Sequence, residues 1–159
     1  MSAASVKELR AKFAKAKDSN KAEALYGAEA DPSRELLEFM LELASNPAVY
    51  DLARIEAMKV IGLIGRKLDA KTEARAARAL AQIAVGDSDE DVQSYALQAL
   101  TWLSTAAAEL IVIAPLLDAT QDLRVRDAAL ALLLQHKSDP NVRTLLQRFA
   151  ADSKLGTYI

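Results

Sequence analysis

An all-α protein of stacked helical hairpins is the fold this sequence predicts, on three observations. A phrase recurs: Asp89-Glu90-Asp91-Val92-Gln93 returns as Asp122-Leu123-Arg124-Val125-Arg126. Val125 follows Val92 by 33 residues (125 minus 92), the length of one helical pair with its turns, and periods of that size mark repeat arrays. Behind each phrase, apolar residues fall at i, i+4, i+7 and i+8: Val92, Ala96, Ala99 and Leu100, then Val125, Ala129, Leu132 and Leu133. That spacing is the buried stripe of a helix. Composition agrees, being 52% hydrophobic yet 5% aromatic, a core of Ala, Leu, Ile and Val that suits close helix packing better than a sheet.

Size and charge bound the rest. A chain of 159 residues reads as one domain, 1–159, able to bury about 70% of the surface its unfolded form exposes. A net charge of −2 and a pI of about 5.5 argue against nucleic acid as a partner. With no Cys there are no disulfides, Cys-ligated zinc sites or thiol catalysis. No apolar run approaches the roughly 20 residues of a membrane span, and Met1 to Lys17 lacks the apolar core of a signal peptide. The expectation is a cytoplasmic protein with no membrane or cofactor partner, monomeric when free.

Each element has its own justification. Ser5 to Lys17 sets Val6, Leu9, Phe13 and Ala16 at helical steps with Lys7, Arg10, Lys12, Lys15 and Lys17 on the remaining arc. This basic amphipathic helix suits an acidic partner or a membrane surface. The plainer expectation is a terminal helix that covers one end of the stack. Asp18-Ser19-Asn20 precedes a short helix from Lys21 to about Ala28, weakened by Gly27. Segment 1–30 is thus a cap of helices, residues 33–152 carry the repeats, and 153–159 form a tail. Asp31-Pro32-Ser33 starts a helix whose stripe is Leu36, Leu37, Met40, Leu41 and Ala44. Val49 to Lys67 carries Ala53, Ala57, Val60, Ile61 and Ile64 in the same register as the two phrases. Gly62 and Gly65 within it cost about 1 kcal/mol each against Ala, which predicts close approach of a neighbouring helix.

Asp69 or Thr72 caps the next helix, which runs to about Val85 and ends at Gly86 in a left-handed turn. The Asp89 helix ends near Ser104. Ala106 to Leu117 forms one helix kinked by Pro115. The Asp122 helix follows, and Ser138-Asp139-Pro140 opens the last one, through Leu145, Leu146 and Phe149. About four helical pairs and a C-terminal capping helix result.

The phrases Asp-x-x-Val-Arg at Asp122 to Arg126 and Asp139 to Arg143, and Asp-x-x-Val-Gln at Asp89 to Gln93, resemble the second-helix start of HEAT repeats. Ala-x-x-Ala-Leu at Ala96 to Leu100 extends the resemblance. It implies a right-handed α-α superhelix over most of residues 33–152, and a protein-binding role of unspecified kind. Three departures stand out. Gln93 replaces Arg, the Ala53 unit lacks the phrase, and Asp139 follows Asp122 by 17 residues (139 minus 122), as suits a first helix closing the array. In physical terms Asp caps a helix, Val enters the core, and Arg bridges turns or repeats. Asp122 and Arg126 are therefore scaffold residues.

Stacking lines up the outer ridges of the second helices, and that face is where such arrays bind. At 100° per residue the outward positions are Ile55, Lys59, Gly62 and Arg66, then Ser94, Gln98 and Thr101, then Asp127, Ala131 and Leu134. Trp102 and Tyr95, seven apart on one flank, either fill the contact between neighbouring pairs or anchor a partner; exposure would favour the anchor. The candidate protein-binding residues are Ile55, Lys59, Arg66, Ser94, Gln98, Thr101, Trp102 and Asp127. No catalytic, cofactor or metal residue is expected. His136 is the sole histidine and sits at a helix end. There is no Glu-x-x-His pair such as HEAT hydroxylases carry. Asp87, Asp89, Glu90 and Asp91 lack an EF-hand register, and no phosphate loop or nucleophile elbow occurs. The expected role is a non-catalytic adaptor or inhibitor of another protein, with a toxin-neutralising immunity protein as one alternative. The enzymatic alternatives are a HEAT-like DNA glycosylase, for which the outward face has too little positive charge, and a bilin lyase, which needs a pigment-sized groove.

Overall fold

The computed structural model describes residues 3–151, and among them all regular structure is helical. The elements are α1 (Ala3–Lys15), α2 (Asp18–Lys21), α3 (Arg34–Ser45), α4 (Asp51–Gly65), α5 (Ala70–Gly86), α6 (Glu90–Leu100), α7 (Ala107–Val112), α8 (Leu123–Gln135) and α9 (Pro140–Phe149). Successive helices pack as pairs, α3 on α4 and α5 on α6, while α8 packs on the 3-10 turn Ala114–Leu117 that extends α7. The pairs lie side by side in two rows. One row runs α3, α5, α7, α9 and the other α4, α6, α8, each helix touching the next in its row. A single apolar cluster runs through the chain from Val6 to Leu146, so neighbouring pairs share one core.

Local chemistry sets the helix starts. Ser33, Asp69 and Asp89 accept a hydrogen bond from the backbone N–H three residues on, and Asp122 and Asp139 from the next two N–H groups in reach. Each satisfies donors that the first turn leaves free. The Val within each phrase, at 92, 125 and 142, is fully buried. α9 stands against α7, in the row of first helices, and Arg143 donates to Lys137 O and Ser138 O of its own turn. Its Asp-x-x-Val-Arg copy thus serves a helix of the first row.

The expected helix from Lys21 to Ala28 does not form. α2 is followed by 3-10 turns at Glu23–Leu25 and Ala28–Ala30, separated by Gly27 at φ 80, a left-handed conformation that interrupts a right-handed helix. These turns cover α4 while α1 covers α3. Phe13 meets Phe39 edge to face with ring centroids 6.0 Å apart, and Arg10 bonds both oxygens of Glu42 at 2.7 and 2.9 Å. The apolar arc of α1 is committed to the stack and its lysines face water.

Two further expectations are corrected. Gly86 is not left-handed; α5 runs through it and ends where Asp87 turns extended. Asp87 accepts from Asp89 N, so a side chain directs the exit that a positive φ was expected to make. Pro115 breaks Ala106 to Leu117 instead of kinking it: α7 stops at Val112 and a 3-10 turn begins at Ala114, because the ring removes one donor and crowds the turn before it. The tail 153–159 lies outside the described residues.

Candidate binding groove

One device recurs at the base of every second helix. Arg54 Nε donates to Ala44 O at 3.1 Å, Gln93 Nε2 to Ala84 O at 2.8 Å and Arg126 Nε to Leu117 O at 3.1 Å. All three donors are buried, and each ties a second helix to the carbonyl end of its first. Gln93 does what Arg does elsewhere, since one amide N–H suffices for one carbonyl. The sequence pattern did not single out Arg54; its signal is that it follows Ala53 as Gln93 follows Val92. It also binds Asp87 of the next pair. Burial pushes the Asp87 carboxyl up, but the Arg54 guanidinium and the Asp89 backbone N–H outweigh it and hold it below the ordinary carboxylate range.

On the outer face of the second helices, two seams differ. At the α4–α6 seam a Cβ on Gly62 would stand 2.5 Å from Trp102 Cε3 and 3.3 Å from Ala99 O, and one on Gly65 would collide with Leu103. Both glycines therefore serve close helix approach. Trp102 lies over Gly62, and Lys59 Nζ lies 5.4 Å from the Tyr95 ring centroid, so Tyr95 of α6 and Trp102 in the turn after it cover the seam. At the α6–α8 seam the residues 33 further on are Ala128 and Gln135, and a groove of about 400 Å³ opens there. Ser94, Tyr95, Gln98 and Thr101 form one wall, Ala128 and Ala131 the other. The Ser94 hydroxyl is buried without a hydrogen-bond partner, and Thr101 Oγ1 donates to Gln98 O at 2.6 Å.

The sequence-predicted residues divide accordingly. Ser94, Gln98 and Thr101 come together in the groove with Ala131. Asp127 is exposed beside Ala128, and Trp102 is 37% exposed at the end of α6. Arg66 lines a second hollow of about 550 Å³ with Thr101, Gln135 and His136. Lys59 is half-buried, 3.5 Å from Glu56. Ile55 and Gly62 are buried, against the outward position expected of them. A helical wheel counts two flanks, whereas α4 is also covered by the 3-10 turns of residues 23–30 and by Trp102. Ala128 is the groove residue that helical spacing did not single out; its signal is that it replaces Tyr95 one period later.

Three of the four acidic residues after α5 are engaged within the fold: Asp87 binds Arg54, Asp89 caps α6 and Asp91 pairs with Arg124 at 2.7 Å. Among the described residues no cluster of His, Asp or Glu has the arrangement to hold a metal ion, and no helix is long and apolar enough to cross a membrane. No family model matches the sequence, and no curated protein or solved structure matches it.

Proposed function

We propose that this chain is a HEAT-like right-handed superhelix acting as a non-catalytic protein-binding module, an adaptor or inhibitor, that holds its partner across α4, α6 and α8. The observation that carries the reading is the groove between α6 and α8. Its walls hold two alanines, hydroxyls and one amide, and Tyr95 is their only titratable side chain. Such a lining can bury a small apolar group and hydrogen-bond a peptide, but it offers no carboxylate, imidazole or amine for proton transfer. Half-exposed Trp102, over the neighbouring α4–α6 seam, is the kind of residue that dominates binding energy at interfaces. The repeated tie at Arg54, Gln93 and Arg126 supports the repeat reading. A cytoplasmic, monomeric state when free belongs to the same proposal.

Affinity capture with the wild-type chain and with Ala131→Trp as baits tests it. Ala131 is exposed, so an indole there fills the groove while leaving the core intact. The expected outcome is a protein retained by the wild type and lost by the variant at unchanged helicity. Equal retention by both baits would place the interface elsewhere.

A further inference from the structure

The groove and the second hollow adjoin at Thr101, which lines both. Together they form a trough along α6 and α8, from Ser94 to the ends of the second helices. No Asp or Glu lines either part. Gln98 on α6 and Gln135 on α8 supply an amide from each wall, and each can donate and accept. At the far end stand Arg66, Thr101 and His136, the C-terminal caps of α4, α6 and α8. Helix C-termini carry partial negative charge, yet in-chain donors already answer carbonyls there: Lys67 N binds Ile64 O, Thr105 Oγ1 binds Leu100 O and Lys137 N binds Leu134 O. Arg66 is exposed, lines the hollow and makes no ion pair among the described residues, so the trough ends on an unanswered cation. The opposite end is flanked by exposed Asp127, likewise without an ion pair among the described residues. The trough is neutral along its length, cationic at one end and anionic at the other.

We propose that the trough takes an extended peptide segment of a partner protein, with a small apolar side chain against Ala128 and Ala131 and an acidic side chain on Arg66. The polarity fixes direction, because an acidic residue set at the Asp127 end would meet a like charge. Peptide amides run between Gln98 and Gln135, and the buried Ser94 hydroxyl gains the partner it lacks. This proposal rests on the protein-binding reading above and adds the chemistry of what is bound.

The probe is a displayed library of random dodecapeptides selected on the full chain, with the winning peptides synthesised with a fluorescent label and titrated by fluorescence anisotropy. The expected result is a consensus pairing an acidic residue with a small apolar one, bound at least ten-fold more weakly by Arg66→Glu and by Ala131→Trp. Lys12→Glu on distant α1 should leave affinity unchanged, and thermal melts of all variants confirm folding. Peptides that Ala131→Trp abolishes but Arg66→Glu does not, or whose consensus lacks an acid, would overturn the acidic-segment proposal while the protein-binding face stands. Failure of any peptide to enrich, or binding that survives Ala131→Trp, would overturn both.

Discussion

The α4–α6 and α6–α8 seams are built to one plan and finished differently. In each, an arginine pairs with an aspartate 33 residues away across the junction: Arg54 with Asp87 in the first, Arg124 with Asp91 in the second. Arg54 is buried, with 3% of its side chain exposed, whereas Arg124 and Asp91 are 63% and 60% exposed. On the outer face Tyr95 and Trp102 close the first seam over Lys59 and Gly62, and Ala128 and Gln135 leave the second open. Two bulky side chains become two smaller ones, and an edge that was packed becomes a groove. One backbone plan can thus pack one junction shut and leave the next open by exchanging two side chains.

If that division holds, the paired arginines should differ most. Arg54→Met removes the donor for Ala44 O and leaves the Asp87 carboxylate, 13% exposed, without its cation. Breaking a buried pair from one side costs roughly 3 kcal/mol, whereas Arg124→Met, in a solvated pair, should cost under about 0.5 kcal/mol. Urea titrations of both variants measure this, and equal losses would erase the distinction between the seams. Next in size is a pair of substitutions to valine. Gly62→Val must push against Trp102 and the Ala99 carbonyl, an overpacking cost of about 2 kcal/mol. Thr101→Val, at the half-exposed C-cap of α6, should stay within about 0.5 kcal/mol. A Gly62→Val variant as stable as the wild type would show that Trp102 rests on the seam without closing it.

Legibility in the sequence followed the range of the physics. Caps and stripes were readable because they depend on residues within four or eight positions: Asp89, Asp122 and Asp139 cap as expected, and Val92 and Val125 are buried. Gly62 and Gly65 were readable as close-approach positions because glycine in a helix has a cost that packing must offset. What the helical wheel misplaced was α4, where Ile55 is buried under elements it cannot represent. The break at residues 23–30 turns on one backbone angle at Gly27, which composition does not dictate. The groove itself was half legible. Ser94, Gln98 and Thr101 were singled out, but an opening requires knowing that Ala128 fails to fill what Tyr95 fills, a comparison visible only once the two helices are laid in register.

The ion pair of the closed seam also sets a pH dependence. The Asp87 carboxyl is held below its ordinary range in the fold, so the contribution of the pair is complete above the unfolded carboxylate value, about 3.9, and is lost as pH falls through the lower folded value. Wild type should therefore lose more stability between pH 5 and pH 2.5 than Asp87→Asn does. Denaturation midpoints at the two pH values decide it, and parallel acid losses in wild type and Asp87→Asn would remove Asp87 from the account.

The smallest effect separates the two cations of the outer face. Lys59 lies over Tyr95 and beside Glu56, so Lys59→Met should give up about 0.5–1 kcal/mol of cation–π attraction, offset in part by the apolar stem that methionine keeps against the ring. Arg66 touches no acidic partner among the described residues, and Arg66→Gln should cost only the few tenths of a kcal/mol that a cation gains at a helix C-terminus. Melting curves in low and high salt resolve them: added salt should narrow the gap between wild type and Arg66→Gln, because a solvated charge at a helix end is screened. The Lys59→Met gap should narrow less, because the ammonium lies against the Tyr95 ring, where salt screens less than at an open helix end. A larger loss for Arg66→Gln than for Lys59→Met would mean that Arg66 already serves the fold, and the cationic end of the trough would no longer be free for a partner.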